Sequence, residues 1–421
     1  MMNQSFNTNS QSLNDWLSYL ESIHPQEIEM GLERVRNVAH RLDLLNDLNN
    51  VILVGGTNGK GSTCAYLEQL ILASGHSTGV FSSPHLIKYN ERVRINYQEL
   101  ADDAHIEAFR AIETARGDIA LTYFEVNTLT ALYLMKQANV DYVILEVGLG
   151  GRLDSTNIVD ADLAIITSID LDHQGWLGDT REQVAFEKAG IFRENQRVIC
   201  GEPNPPQPLL NKANELACNI SYKGKDFSFV PRQDDWQFIG KDNNFNDLAY
   251  TKLPMTNAST ALAAFEALDL KLPEQAIKNV IRETSLKGRL QKVSEKPAVY
   301  LDVAHNPEAG RYLAAWIERQ KANKVHVVCA MLGDKDSAST LSVIKPFADR
   351  WYIAGLDCER GATASQLFDS LGVASASQFD DVVAALEAAK RNAHQDELIV
   401  VFGSFFTVAA ILENNNLVEL T

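Results

Sequence analysis

From Val51 to Thr63 the chain reads Val-Ile-Leu-Val-Gly-Gly-Thr-Asn-Gly-Lys-Gly-Ser-Thr. The apolar start suits a buried strand. The glycines permit backbone that a side chain would forbid, and a helical pattern comes next, with Leu67, Leu70 and Ile71 on one face. Strand, glycine loop, helix is the recipe for an anion site. Backbone N–H groups can approach closely, the helix N-terminus adds partial positive charge, lysine adds a full one, and a hydroxyl can reach Mg²⁺. The general phosphate-loop pattern wants glycine where Val54 stands and a hydroxyl directly after lysine, where Gly61 stands; here Ser62 comes one step later. A glycine turn without a ligand would not need the lysine, hydroxyl and strand that coincide here.

A length of 421 residues allows two or three domains with sizeable cores. The net charge of -17 argues against a general nucleic-acid binder but leaves room for local sites that take small anions. The cysteines are Cys64, Cys200, Cys218, Cys329 and Cys358, an odd number without a C-x-x-C pair, as expected for reduced thiols in a cytoplasmic protein. The polar first ten residues carry no apolar core of a signal peptide and read as a frayed start, and no run of about 18 apolar residues offers a membrane span.

Several stretches deliver chemistry to strand ends, where ligands collect in open α/β sheets. Gly79-Val80-Phe81 runs into a turn with Ser83, either a ligand or a plain turn serine before Pro84. Arg92 and Arg94 alternate along a short strand and so share a face, where they could steer an anion or simply be solvated. Tyr142 to Gly148 is an apolar strand broken by Glu146, whose charge is costly there unless paired or metal-bound. Ala164 to Ile169 leads to Asp170, Asp172 and His173, which makes metal ligation by His173 plausible beside Glu146. Lys188, in a helical stretch from Thr180 to Ile191, looks like any helix lysine. Residues 200–256 read as short strands and loops, and Asn257 to Leu268 as a helix. The pattern resets near Lys287, which gives an N-terminal domain at 1–287, a linker at 288–297 and a C-terminal domain at 298–421. In the last of these, strands alternate with helices, as in a second mostly parallel sheet whose first strand ends at Asp302 and His305.

Together these motifs resemble the Mur ligase superfamily and, within it, the folylpolyglutamate synthase/dihydrofolate synthase family. The resemblance is carried by Gly56 to Ser62, Ser82 to Leu86, Leu121 to Glu125, Glu146 to Asp154, Asp172-His173, Glu187 to Ile191, Gly288 to Gln291 and Asp302 to Pro307, and runs from about residue 12 to the end. The displaced Ser62 is then the family's own loop. The resemblance implies a P-loop ATPase-like central domain followed by a Rossmann-like α/β domain. It implies ATP contacts from Asn58, Gly59, Lys60, Gly61, Ser62, Asn257, Arg289 and Asp302, with ATP bridging the two domains. It implies one or two Mg²⁺ ions on Ser83, Glu146 and His173, and a CO₂-derived carbamate on Lys188. Leu121, Thr122, Tyr123 and Phe124, with Leu153, Asp154 and Ser155, would line the pterin substrate. His305 would meet the acyl phosphate or the incoming glutamate, or serve only as a hydrogen-bonding group at a strand end.

The implied reaction is ATP-dependent addition of L-glutamate to dihydropteroate and to the γ-carboxylate of folates, through an acyl phosphate, by a monomer that binds neither nucleic acid nor membrane. Lys60, Lys188 and His305 would be its catalytic residues. A monofunctional folylpolyglutamate synthase is the nearest alternative, and the segment from Leu121 to Phe124 favours the bifunctional enzyme. A sister ligase of cell-wall synthesis would need an extra N-terminal domain, and 54 residues before Gly55 are too few for one. A guanine-nucleotide switch would need N-K-x-D, but Asn323-Lys324 is followed by Val325-His326.

Overall fold

A computed structural model describes residues 12–24, 29–373, 375–414 and 417–418; the polar start at 1–10 lies outside these. The chain divides into two units, one built from residues up to Thr251 with Met255–Thr284, the other from Lys252–Pro254 with Ser285 onward.

The first unit is organised on an eight-stranded sheet. In chain order its strands are β1 (Val51–Gly55), β2 (Thr78–Phe81), β3 (Val93–Ile95), β4 (Gln98–Glu99), β5 (Tyr142–Glu146), β6 (Leu163–Ile166), β7 (Arg197–Cys200) and β8 (Asn219–Tyr222). The spatial order is β4-β3-β2-β5-β1-β6-β7-β8, parallel from β2 to β8 with an antiparallel margin at β3 and β4. β1 therefore lies between β5 and β6, and the segments that leave those two strands flank the glycine loop. Every residue of β1 and β5 is buried, which explains their continuous apolar runs: Leu53, Val143 and Leu145 join one core cluster, while Ile52, Val54 and Ile144 are equally buried outside it.

The helix Asp102–Arg116 is absent from the sequence reading. Its acidic, polar first turn hides an apolar stripe of Ile106, Phe109 and Ile112, which packs in the same core as Trp16. The region after β8 forms a three-stranded antiparallel sheet from β9 (Ser228–Pro231), β10 (Asp235–Ile239) and β11 (Asn244–Ala249). The proline-rich stretch before β8 also holds a helix, Gln207–Glu215, opened by Pro206 at its N-cap and Pro208 in its first turn.

The second unit carries β12 (Gln291–Glu295), β13 (Ala298–Asp302), β14 (Val325–Cys329), β15 (Arg350–Ala354), β16 (Ser377–Phe379) and β17 (Leu398–Phe402) in the order β12-β13-β17-β14-β15-β16. The stretch 288–297, expected as linker, holds β12, which pairs antiparallel with β13 at the sheet margin. All other pairings in this sheet are parallel.

Candidate active site

The glycine loop is sewn to the chain that leaves β6. Thr57 N donates to Ser168 O at 2.9 Å, Asn58 N to Ser168 Oγ at 3.1 Å, and Thr167 Oγ1 to Asn58 O at 2.7 Å. Thr57 Oγ1 and Asp170 exchange two further bonds, at 3.0 and 3.1 Å. Gly56 has φ +147, and a Cβ there would fall 1.8 Å from Thr167 Oγ1. Gly59 has φ +85, and a Cβ would fall 2.4 Å from Asn257 Oδ1, so the helix Met255–Ala267 seats its asparagine on the loop. Lys60 opens the helix Lys60–Ala73 and turns its Nζ back to the carbonyls of Gly56 and Thr57, each at 3.1 Å. Among the described residues no side chain caps this helix, so the N–H groups of its first turn, which includes Gly61 and Ser62, are left for an anion.

Glu146 ends β5 beside Val54 and is only 6% exposed. Ser83 follows β2, and its N–H donates to Glu146 Oε2 at 3.3 Å. The structure therefore brings Ser83 and Glu146 together. His173 contacts Asp172: its N–H donates to Asp172 Oδ1 at 2.8 Å, and its exposed ring is 4.0 Å from the same oxygen. Among the described residues no group of three or more His, Cys, Asp or Glu side chains is placed to hold a metal ion. The buried Glu146 carboxylate and the hydroxyl that Ser83 carries are hard oxygen donors by chemistry, the kind that suits Mg²⁺ in a shell completed by phosphate or water.

Lys188 departs from its sequence reading. It is 3% exposed, at the end of the helix Arg181–Ala189, and not the solvated helix lysine its spacing suggests. Glycines make the close packing there possible. A Cβ on Gly190 would fall 2.3 Å from Arg152 Cβ, and one on Gly151 would fall 2.9 Å from Glu187 O. Arg152 pairs with Glu187 at 2.9 Å across the same contact.

Thr122 caps the helix Tyr123–Ala138 by accepting from Glu125 N at 3.2 Å, while Glu125 Oε2 accepts from Thr122 N at 2.7 Å. Arg34 Nη2 reaches the other oxygen of Glu125 at 3.3 Å. Asp154 accepts from Leu149 N at 2.8 Å and from Thr156 N at 3.0 Å; burial raises its pKa, and these bonds oppose the rise. Ser155 Oγ bonds Thr128 Oγ1 at 2.5 Å. Thr122, Asp154 and Ser155 are thus held within the protein, and Leu121 is fully buried, whereas Tyr123, Phe124 and Leu153 keep part of their surface. The Phe124 ring lies against Gly148, where a Cβ would meet it at 2.4 Å. The two arginines of the 92–95 stretch are not solvated. Arg94 pairs with the fully buried Glu68 at 2.8 Å, and Arg92 ends the 3₁₀ turn Tyr89–Arg92 and is buried among aromatic rings.

In the second unit Asp302 ends β13. Its carboxylate accepts from Leu290 N at 2.9 Å and Ala304 N at 2.8 Å. Burial raises its pKa, with the nearby Arg289 charge and those two N–H groups opposing the rise. His305 Nδ1 lies 2.8 Å from Val303 O; a carbonyl can only accept, so Nδ1 carries the proton. The Arg289 guanidinium sits 5.0 Å from the centre of the Phe405 ring, and the His305 ring 6.5 Å from it. Phe405 is the addition here. It opens the helix after β17, a strand-to-helix turn at the same end of the sheet, which is the signal that could have found it.

The sequence matches the Mur ligase middle domain over residues 54–268 and the Mur ligase glutamate ligase domain over 288–405. The dihydrofolate synthase/folylpolyglutamate synthase of Escherichia coli is 48% identical over 402 residues, covering 95% of both chains. That of Haemophilus influenzae is 44% identical, covering 94% of this chain and 96% of its own. The solved structure of E. coli FolC in complex with DHPP and ADP superposes with a TM-score of 0.93 at 48% identity, covering 96% of this chain and 97% of that one. The bifunctional enzyme of Yersinia pestis, complexed with AMPPNP and Mn ion, superposes with a TM-score of 0.91 at 47% identity, covering 97% and 99%.

Proposed function

This chain belongs to the dihydrofolate synthase/folylpolyglutamate synthase family of Mur ligases, and on that premise we propose that it is an ATP-dependent ligase joining L-glutamate to two acceptors. One is dihydropteroate, which becomes dihydrofolate; the other is the γ-carboxylate of a tetrahydrofolate. The observation that carries the reading is the uncapped helix N-terminus with Lys60 and its glycine loop, on a strand that neighbours the Ser83–Glu146 pair.

The acceptor's carboxylate oxygen attacks the γ-phosphorus, the bond to the bridging oxygen of ADP breaks, and an acyl phosphate forms. The glutamate amine attacks the acyl carbon, inorganic phosphate leaves, and the amine gives up a proton. The loop N–H groups from Asn58 to Ser62 and the Lys60 ammonium hold the phosphates and offset charge on the transferring group. Asn257 keeps Gly59 in place beneath them. Ser83 and Glu146, with His173, would hold a divalent ion, which supplies charge neutralisation between the phosphates when bound. Lys188, buried at the end of its helix, is the residue for the carbamate: its neutral amine adds CO₂ and loses a proton, and the product carries a carboxylate. Phe124 and Tyr123 offer the aromatic surface for a pterin. On the second unit, Arg289 and Asp302 serve the nucleotide, and His305, with its proton fixed on Nδ1, serves the acyl phosphate or glutamate.

The reading takes the chain as a cytoplasmic monomer, and its free cysteines support the compartment; among the described residues no helix is long and apolar enough to cross a membrane. The test supplies dihydropteroate or tetrahydrofolate with glutamate and MgATP and follows ADP and product. Product from both acceptors is expected; no glutamate-dependent ADP release with either would overturn the reading. Lys188→Ala should lose turnover that formate or acetate partly restores. Full activity in that variant would remove the carbamate.

A further inference from the structure

Arg92 and Arg94 differ in what neutralises them. Arg94 has the Glu68 carboxylate at 2.8 Å. Arg92 is only 7% exposed, and among the described residues no carboxylate pairs with it. Its Nε donates to His85 Nδ1 at 2.8 Å, and its guanidinium carbon lies 5.8 Å from the Tyr89 ring centre and 5.6 Å from that of Tyr123. No acceptor among the described residues takes its terminal N–H groups. A cation this deep without an anion is costly, and the cost is met when a ligand brings the anion.

Its location says which ligand. The Arg92 carbonyl accepts from Ser82 N at 2.9 Å, which ties the residue to the turn carrying Ser83. On its other side it stacks on Tyr123, the neighbour of Phe124. The group that must lie between an aromatic pterin segment and the phosphate side of the sheet is the acceptor carboxylate. We propose that Arg92 is a carboxylate subsite, in which its terminal nitrogens grip the carboxylate of the acceptor, the group that becomes acylated. The stacking on two tyrosines holds the guanidinium plane still, and the His85 bond takes up Nε, so the terminal pair faces the ligand as a fork. The proposal rests on the reading of residues 121–124 as the substrate segment.

The test is equilibrium binding, in the presence of ADP and Mg²⁺, of dihydropteroate and of its analogue lacking the carboxylate. It compares the full-length protein with Arg92→Met, Arg92→Lys and Phe124→Ala. The unaltered protein should prefer the acid by about ten- to a hundredfold, the range of a charge-assisted hydrogen-bonded pair. Arg92→Met should bind both ligands alike, Arg92→Lys should keep part of the preference, and Phe124→Ala should weaken both while keeping their ratio. If Arg92→Met does not fold, Arg92→Lys carries the comparison, since a point charge cannot reproduce the fork. A preference unchanged in the Arg92 variants overturns the proposal. So does a change confined to the KM for L-glutamate, which would assign the carboxylate to the other substrate. Binding of both ligands that ignores Phe124→Ala strikes the substrate segment itself, and the subsite falls with it.

Discussion

The two sheets finish differently at the strand ends that carry the site candidates. In the first unit β1 runs out into backbone: glycines, a lysine folded back on two carbonyls, and a helix without a side-chain cap. In the second, β13 runs out into a carboxylate that takes the N–H groups of Leu290 and Ala304 for itself. One edge leaves its N–H groups for a ligand; the other spends them on Asp302 and puts Arg289 and His305 forward. The difference shows that the ligand preference of a strand end depends on whether a side chain has already claimed the backbone donors there.

The largest effect expected from this contrast is on turnover. Lys60→Ala should lower kcat by about a thousandfold or more, in steady-state assays of ADP release, because the charge it supplies acts on the transferring phosphoryl group. Asp302→Asn should cost less, about ten- to a hundredfold, since its first task is to order its own strand end. Equal losses in the two variants would break the contrast.

Next in size is stability in the first unit. Glu68→Ala strands the Arg94 charge inside the fold and should cost about 3–5 kcal/mol in urea unfolding, with Glu68→Gln costing less. Acid should then separate the two units. His105 is buried with no hydrogen-bond partner among the described residues for either ring nitrogen, and burial lowers its pKa from 6.5 to about 4, against the raising effect of Asp102. Below pH 6.5 the unfolded chain takes that proton and the folded chain refuses it, so the first unit loses on the order of 3 kcal/mol by pH 4. In the second unit Glu397 is held down to about 2 by the His394 N–H and by His326. Its stabilisation is present above the ordinary value of 4.5 and fades as pH falls towards 2. Hydrogen exchange across a pH series should therefore find the first unit weakening first; the reverse order would contradict these assignments. The smallest effect belongs to the cap. Thr122→Ala should cost about 1 kcal/mol, and Thr122→Ser should restore it, as read by thermal melting.

Much of this edge chemistry is legible in the sequence because it depends on local residues. The run from Val51 to Ser62 specifies its own strand, loop and helix, and Glu146 stands out as a charge in an apolar strand. What is not legible depends on the partner surface. Helical spacing does not tell whether Lys188 faces solvent, because glycines at 151 and 190 decide how near the next segment comes. Alternation places Arg92 and Arg94 on one face only if both lie in a strand, and Arg92 belongs to a 3₁₀ turn. The stretch 288–297 reads as a linker because an antiparallel margin strand needs little apolar content; of β12, only Val293 and Ser294 are buried. Nor does the sequence show that the side chains of Thr122, Asp154 and Ser155, which the resemblance implies along the substrate, also hydrogen-bond within the protein.

The asparagine seated on Gly59 has a consequence for the order in which the site is made. Asn257 is encoded about two hundred residues after the loop it steadies. At roughly 5–20 residues per second of synthesis, the loop waits about ten to forty seconds for its other half. A ribosome stalled before the helix Met255–Ala267 has emerged would hold a chain with the glycines and Lys60 in place, but without the side chain that fills the space over Gly59. The packing over Gly59 is thus completed late, after well over half of the chain has been made.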